Sequence, residues 1–130
     1  FTVEQIEHAF SCIIRHPVEG MADIVKRVSA GHQTALVSNT NEIHYKLSLK
    51  KFEGLKFFQK HYLSYQLRVM KPAQCFYDAI IKDQGIHPSQ MLFIDDITEN
   101  VEAAKEAGMQ TIRFENMGEL ETELKNLSVL

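Results

Sequence analysis

Five side chains in this 130-residue sequence carry chemistry by type and by position. They are Ser38 and Asn39 within Leu36-Val37-Ser38-Asn39-Thr40-Asn41, Lys71 within Lys71-Pro72, and the adjacent Asp95 and Asp96 that close Leu92-Phe93-Ile94-Asp95-Asp96. A hydroxyl and free backbone N–H groups ahead of a helix can hold an anionic oxygen. A lysine adds fixed positive charge, and paired carboxylates attract a divalent cation. Two ionised carboxylates about 5 Å apart repel by about 3 kcal/mol at an effective dielectric near 20. Ending a buried strand on both therefore calls for a counter-charge, either Lys71 or a metal ion. Singly, each group has a plainer role: Ser-Asn-Thr-Asn caps a helix, Lys71 sits in solvent, and the aspartates begin a helix. Only convergence would make them a site.

The elements around them follow α/β grammar. Met21, Ile24, Val25 and Val28 recur at helical spacing from Gly20 to Gly31, and Thr34 to Val37 reads as a short buried strand. A helix is expected from about Glu42 to Lys50, a strand over Tyr62 to Leu67, and a helix from Pro72 to about Gln84, closed by Gly85. The segment from Phe52 to Phe58 has no clear pattern. Met91 to Ile94 is a continuous apolar run of strand length. It is followed by a helix from about Thr98 to Ala107, a strand over Gln110 to Phe114, and a short helix carrying Leu120, Leu124 and Leu127. Near the start, Val3, Ile6, Phe10, Ile13 and Ile14 form a helical stripe that ends at Pro17. Short connections between alternating strands and helices imply right-handed crossovers and a parallel sheet covered on both faces. In such a sheet, ligands bind beyond the carboxyl ends of the strands, where Ser38, Lys71 and Asp95 are expected.

Composition narrows the partners. With 14 basic and 17 acidic residues the net charge is -3, so no broad positive field gathers nucleic acid or anionic lipid. The longest apolar runs fall far short of the roughly 20 residues of a membrane-spanning helix. Cys12 and Cys75 are isolated thiols with no metal-ligand spacing, a pattern that fits a reducing cytoplasm. The six histidines are scattered, and His44, just after Asn41, is expected to cap or lie on the surface.

Leu36 to Asn41, Lys71-Pro72, and Leu92 to Asp96 with Glu99-Asn100-Val101 resemble, in order and spacing, the second, third and fourth motifs of the haloacid dehalogenase-like hydrolases. The largest branch of that family is magnesium-dependent phosphatases. The resemblance covers about residues 18–114. It implies a three-layer, Rossmann-like α/β fold, with helices on both faces of a parallel sheet. Residues 1–16 would be the last helix of a helical cap and 17–130 the core. By the same resemblance Ser38 and Lys71 are catalytic, and Ser38, Asn39 and Lys71 bind substrate. Asp95 and Asp96 hold Mg2+, and the substrate is a small phosphorylated metabolite.

One departure matters. The family nucleophile belongs to an Asp-x-Asp motif on the first core strand, and the aspartates here stand at 23, 78, 83, 95 and 96, with no such pair. Without it no aspartyl-phosphate can form. The resemblance places that strand between the one ending at Ser38 and the one ending near Asp95. The chain is therefore expected to be inactive alone and to be completed by a missing amino-terminal segment or another complementary strand. Two other readings stay open. One is a non-catalytic pseudoenzyme or structural subunit with this fold. The other is a receiver-like phosphoacceptor domain, which requires a permutation because in receivers the acidic pair comes first, whereas here it follows Ser38 and Lys71.

Overall fold

The computed structural model describes residues 18–130. The expected helix over 1–16 lies outside these residues. Helix α1 (Met21–Ser29) leads into strand β1 (Ala35–Ser38), and helix α2 (Glu42–Lys51) follows. A 3-10 turn over Glu53–Phe57 then precedes β2 (Lys60–Leu63). The short helix α3 (Ser64–Leu67) and helix α4 (Gln74–Gln84) come next, and a second 3-10 turn (Pro88–Gln90) enters β3 (Leu92–Asp95). Helix α5 (Thr98–Glu106), β4 (Gln110–Arg113) and α6 (Met117–Asn126) complete the order.

All pairing is parallel, with Val37 opposite Tyr62 in one pair and Phe93 opposite Thr111 in the other. β1 bonds to β2 and β3 to β4, as separate two-stranded sheets, so β1 and β3 share no ladder. Strand alternation divides the core between two faces. On one face Tyr62, Phe76, Tyr77, Ile80, Phe93 and Ala104 form a cluster that Val37 and Ala35 also touch, and this cluster joins the two pairs. On the other face Ile24, Ile112, Leu120 and Leu124 pack α1 and α6 against β3 and β4. The α/β reading with helices on both faces holds.

Two local expectations are corrected. Tyr62 to Leu67 is not one strand: β2 stops at Leu63 and residues 64–67 turn into α3. The cause is Ser64, whose hydroxyl is tied to the main chain of Thr40, pulling the backbone off the strand path. The helix expected from Pro72 starts at Gln74, because Ala73 N–H donates to Met70 O and closes a turn first. The unassigned segment around Phe52 to Phe58 is the 3-10 turn. It packs on α1 so closely that a Cβ on Gly54 would lie 3.1 Å from Ala22 Cβ.

Among the described residues no helix is long and apolar enough to cross a membrane. Cys75 is an exposed free thiol.

Candidate active site

β1 ends by delivering Ser38 and Asn39, and Asn41 then caps α2 by accepting from His44 N–H at 3.0 Å. His44 itself is buried, at 4% exposure, rather than a surface residue, because α2 turns it and Ser48 inward while Ile43 and Leu47 face out. Lys71 comes from the irregular stretch between α3 and α4. Asp95 is the last residue of β3, and Asp96 is the first beyond it.

The centre of the arrangement is the Lys71 ammonium. Nζ lies 2.7 Å from Asp95 Oδ2, donates to Val37 O at 3.3 Å, and sits 5.8 Å from the centre of the Phe93 ring. Both charged side chains are almost wholly buried, at 5% and 3% exposure. One cation therefore touches the carboxyl ends of β1 and β3, the two strands that no backbone ladder joins. The Asp95 carboxylate is further fixed by Ile97 N–H at 2.9 Å on Oδ1 and by Asn100 Nδ2 at 3.2 Å on Oδ2. Tyr77 OH donates in turn to Asn100 O at 2.9 Å.

The acidic neighbours are driven apart in acidity. Burial by itself would push the Asp95 carboxyl up, but the Lys71 charge and hydrogen bond, with Ile97 N–H, outweigh it and hold Asp95 below the usual carboxylate range. Asp96 goes the other way: burial first, then the nearby Asp95, raises it. Asp96 Oδ1 is also buried without a hydrogen-bond partner. A buried carboxylate oxygen left unpaired is costly, and a cation would relieve it. The donor chemistry fits Mg2+, which prefers a few carboxylates plus water and substrate oxygens. The pair supplies only part of a shell, because among the described residues no group of three or more His, Cys, Asp or Glu side chains could hold a metal.

The structure thus brings Lys71 and Asp95 into contact and places Asp96 beside them. Ser38 follows Val37, whose carbonyl Lys71 reaches. Asn39 does not point its amide outward: Nδ2 donates to Lys71 O at 3.0 Å, and Lys71 N–H donates to Asn39 Oδ1 at 2.9 Å. Ser64, at the end of β2, was not anticipated from sequence; no local pattern marks a serine whose partner is 24 residues away.

A parallel α/β core with a hydroxyl, an ammonium and an acidic pair at its carboxyl edge defines a Rossmann-like α/β protein with a polar edge site. Residues 1–114 match the haloacid dehalogenase-like hydrolase family, and the chain belongs to it. It is 45% identical over 65 residues to the D-ribitol-5-phosphate phosphatase of Bacteroides thetaiotaomicron, a match covering 50% of this chain and 32% of that protein. Its fold is similar to a predicted HAD-like family hydrolase from Porphyromonas gingivalis (TM-score 0.77, 27% identity, 95% of this chain and 65% of that one). It is also similar to an aspartate-to-alanine variant of a HAD family enzyme from Bacteroides thetaiotaomicron in complex with magnesium and inorganic phosphate (TM-score 0.73, 29% identity, 92% and 66%). The chain spans about a third of that phosphatase's length and about two thirds of those two solved structures.

Proposed function

We propose that this chain forms part of a Mg2+-dependent phosphatase acting on a small phosphorylated metabolite. The site is completed by an Asp-x-Asp strand inserted between β1 and β3. The observation that carries the reading is the buried Lys71 ammonium spanning the ends of two strands that share no ladder, next to a buried, unpartnered oxygen of Asp96. The named activity of the Bacteroides phosphatase supports the substrate class.

Ser38 binds a phosphoryl oxygen at the carboxyl end of β1. Lys71 offsets negative charge on phosphate and nucleophile in a site where water is largely excluded. Asp95, already bonded to Lys71, Asn100 and the Ile97 N–H, orients the ammonium, and Asp96 offers its free oxygen to the metal. Bound Mg2+ supplies charge neutralisation and a template for in-line transfer. The nucleophilic carboxylate comes from the inserted strand, since none of the aspartates here belongs to an Asp-x-Asp pair.

The test uses an aryl phosphate with Mg2+. The 130-residue chain alone is expected to give negligible turnover, and a longer form carrying an Asp-x-Asp strand is expected to turn over. Robust turnover by the chain alone, abolished in Asp95→Asn, would place the nucleophile within these residues and overturn the reading. A longer form that stays silent would favour a non-catalytic subunit.

A further inference from the structure

Lys71 stands on irregular backbone between Arg68 and Ala73, where the Ala73 N–H to Met70 O turn is the local main-chain bond. A lysine carries large rotamer freedom, yet its ammonium must be held within hydrogen-bond distance of a buried carboxylate. The main chain of Lys71 is gripped from outside the segment. The Asn39 amide donates to Lys71 O at 3.0 Å and accepts from Lys71 N–H at 2.9 Å, closing a two-bond ring across 32 residues of sequence. The next residue along, Thr40, is gripped in the same way. Its N–H donates to Ser64 Oγ at 2.8 Å, and Ser64 Oγ donates to Thr40 O at 3.0 Å. Ser64 is buried and immediately follows β2.

These bonds run in series: β2 fixes Ser64, Ser64 fixes the main chain at Thr40, Asn39 fixes the main chain of Lys71, and Lys71 reaches Asp95 and Val37 O. We propose that Asn39 and Ser64 are positioning residues for Lys71, and that the Asn39 side chain acts on the lysine backbone rather than on substrate. The inference rests on the phosphatase reading only for why the ammonium must be held there. The hydrogen bonds themselves belong to the folded chain. Each clamp provides both a donor and an acceptor, so it sets the height and the tilt of the segment, which a single hydrogen bond would leave free.

The test reads the placement of Lys71 directly, with neither phosphate nor Mg2+ present. The folded chain is exposed briefly to an amine-acetylating reagent, and each lysine is quantified by peptide mass spectrometry, with the exposed Lys125 as internal reference. In the unsubstituted chain Lys71 is expected to be strongly protected. Asn39→Ala is expected to raise its labelling about tenfold relative to Lys125, the factor that corresponds to about 1.4 kcal/mol of lost hydrogen bonding. Asn39→Asp keeps the acceptor for Lys71 N–H but not the donor to its carbonyl, so it should fall between. Ser64→Ala is expected to raise labelling as well, and Ser64→Thr, which keeps the hydroxyl, to restore protection. Hydrogen exchange of the β3 and β4 amides should stay unchanged throughout, separating a local release from unfolding.

Unchanged Lys71 protection in both Asn39 variants would overturn the proposal. So would a rise matched by equal loss of protection across β3 and β4. Loss of inorganic phosphate affinity in Asn39→Asp with Lys71 still protected would assign Asn39 to ligand binding instead. Failure of the phosphatase reading would appear in the turnover assay and leave this labelling pattern intact.

Discussion

Leu124 on α6 and Ile112 on β4 are 2% and 3% exposed, whereas none of the residues of β1 is fully buried and Ile94 on β3 is 39% exposed. In a parallel α/β sheet the inner strands are ordinarily the most buried, reading as near-continuous apolar runs covered on both faces. Here the burial is high where α1 and α6 close on β4 and again at Tyr62 and Leu63 of β2 (4% and 1% exposed), and it falls off along β1 and at Ile94 of β3. The two pairs meet through the apolar cluster around Phe76, Tyr77 and Phe93, and through the Lys71 ammonium at the carboxyl edge. The contrast runs between strands rather than between pairs: β2 and β4 carry closely covered apolar residues, whereas β1 and Ile94 of β3, on strands that share no ladder, are left partly open.

The largest test of that contrast removes the ionic tie. Lys71→Met leaves the Asp95 carboxylate buried without its counter-charge, and breaking a buried pair in this way costs about 3–5 kcal/mol. Chemical denaturation of the chain should show that loss. The double variant Lys71→Met with Asp95→Leu should recover part of it, since the uncompensated charge is gone. A neutral single variant would mean that the apolar cluster alone holds the pairs together.

A second test compares a covered and an open position directly. Leu124→Ala empties a site closed on all sides and should cost about 2–5 kcal/mol. Leu36→Ala, on the face of β1 turned away from Val37 and the shared cluster, should cost about 1 kcal/mol or less. Equal losses at the two leucines would show the β1 face to be as well covered as the β4 face, and the contrast would disappear.

What the sequence discloses follows the same division. The apolar runs ending at Val37 and Ile94 and the spacing of Leu120 and Leu124 are local patterns, and each became the expected element within a residue or two. The convergence of Lys71 on Asp95 was legible from motif order, because parallel strands must present their carboxyl ends at one edge. The break at Ser64 was not. Leu63, Tyr65 and Leu67 alternate like a strand, and a single helical turn is too short for periodicity to register. Its cause, the bond to Thr40, is a long-range contact. The bonds between Asn39 and Lys71 are hidden for the same reason: an asparagine after a strand looks like an anion ligand or a cap, and only the folded path of residues 68–73 brings the Lys71 backbone to it. The inward turn of His44 likewise depends on what α2 packs against, which residue type alone does not specify.

The smallest effect lies at alkaline pH, and it asks whether the two halves open together. Burial raises the Tyr62 phenol to about 12, with the Asp83 carboxylate beside it adding to the shift. Burial, then the Asp95 charge, raises Tyr77 to about 12 as well. Tyr62 belongs to β2, where its hydroxyl donates to Asp83 Oδ2 at 2.6 Å, and Tyr77 reaches toward β3 through Asn100. Both native values lie above the ordinary 10.0, so in each half the neutral phenol contributes stability that is complete below pH 10 and is lost as the pH rises toward 12. Stability measured from pH 9 to 12 should therefore fall, and Tyr62→Phe or Tyr77→Phe should each flatten part of that fall. Phenolate absorbance assigns the order by comparing the two variants. If the pairs form one cooperative unit, the two late-titrating phenols ionise together. A Tyr62 that ionises near 10 while Tyr77 stays late would show the β1–β2 pair opening on its own, as a unit does when its local opening free energy lies below the global one.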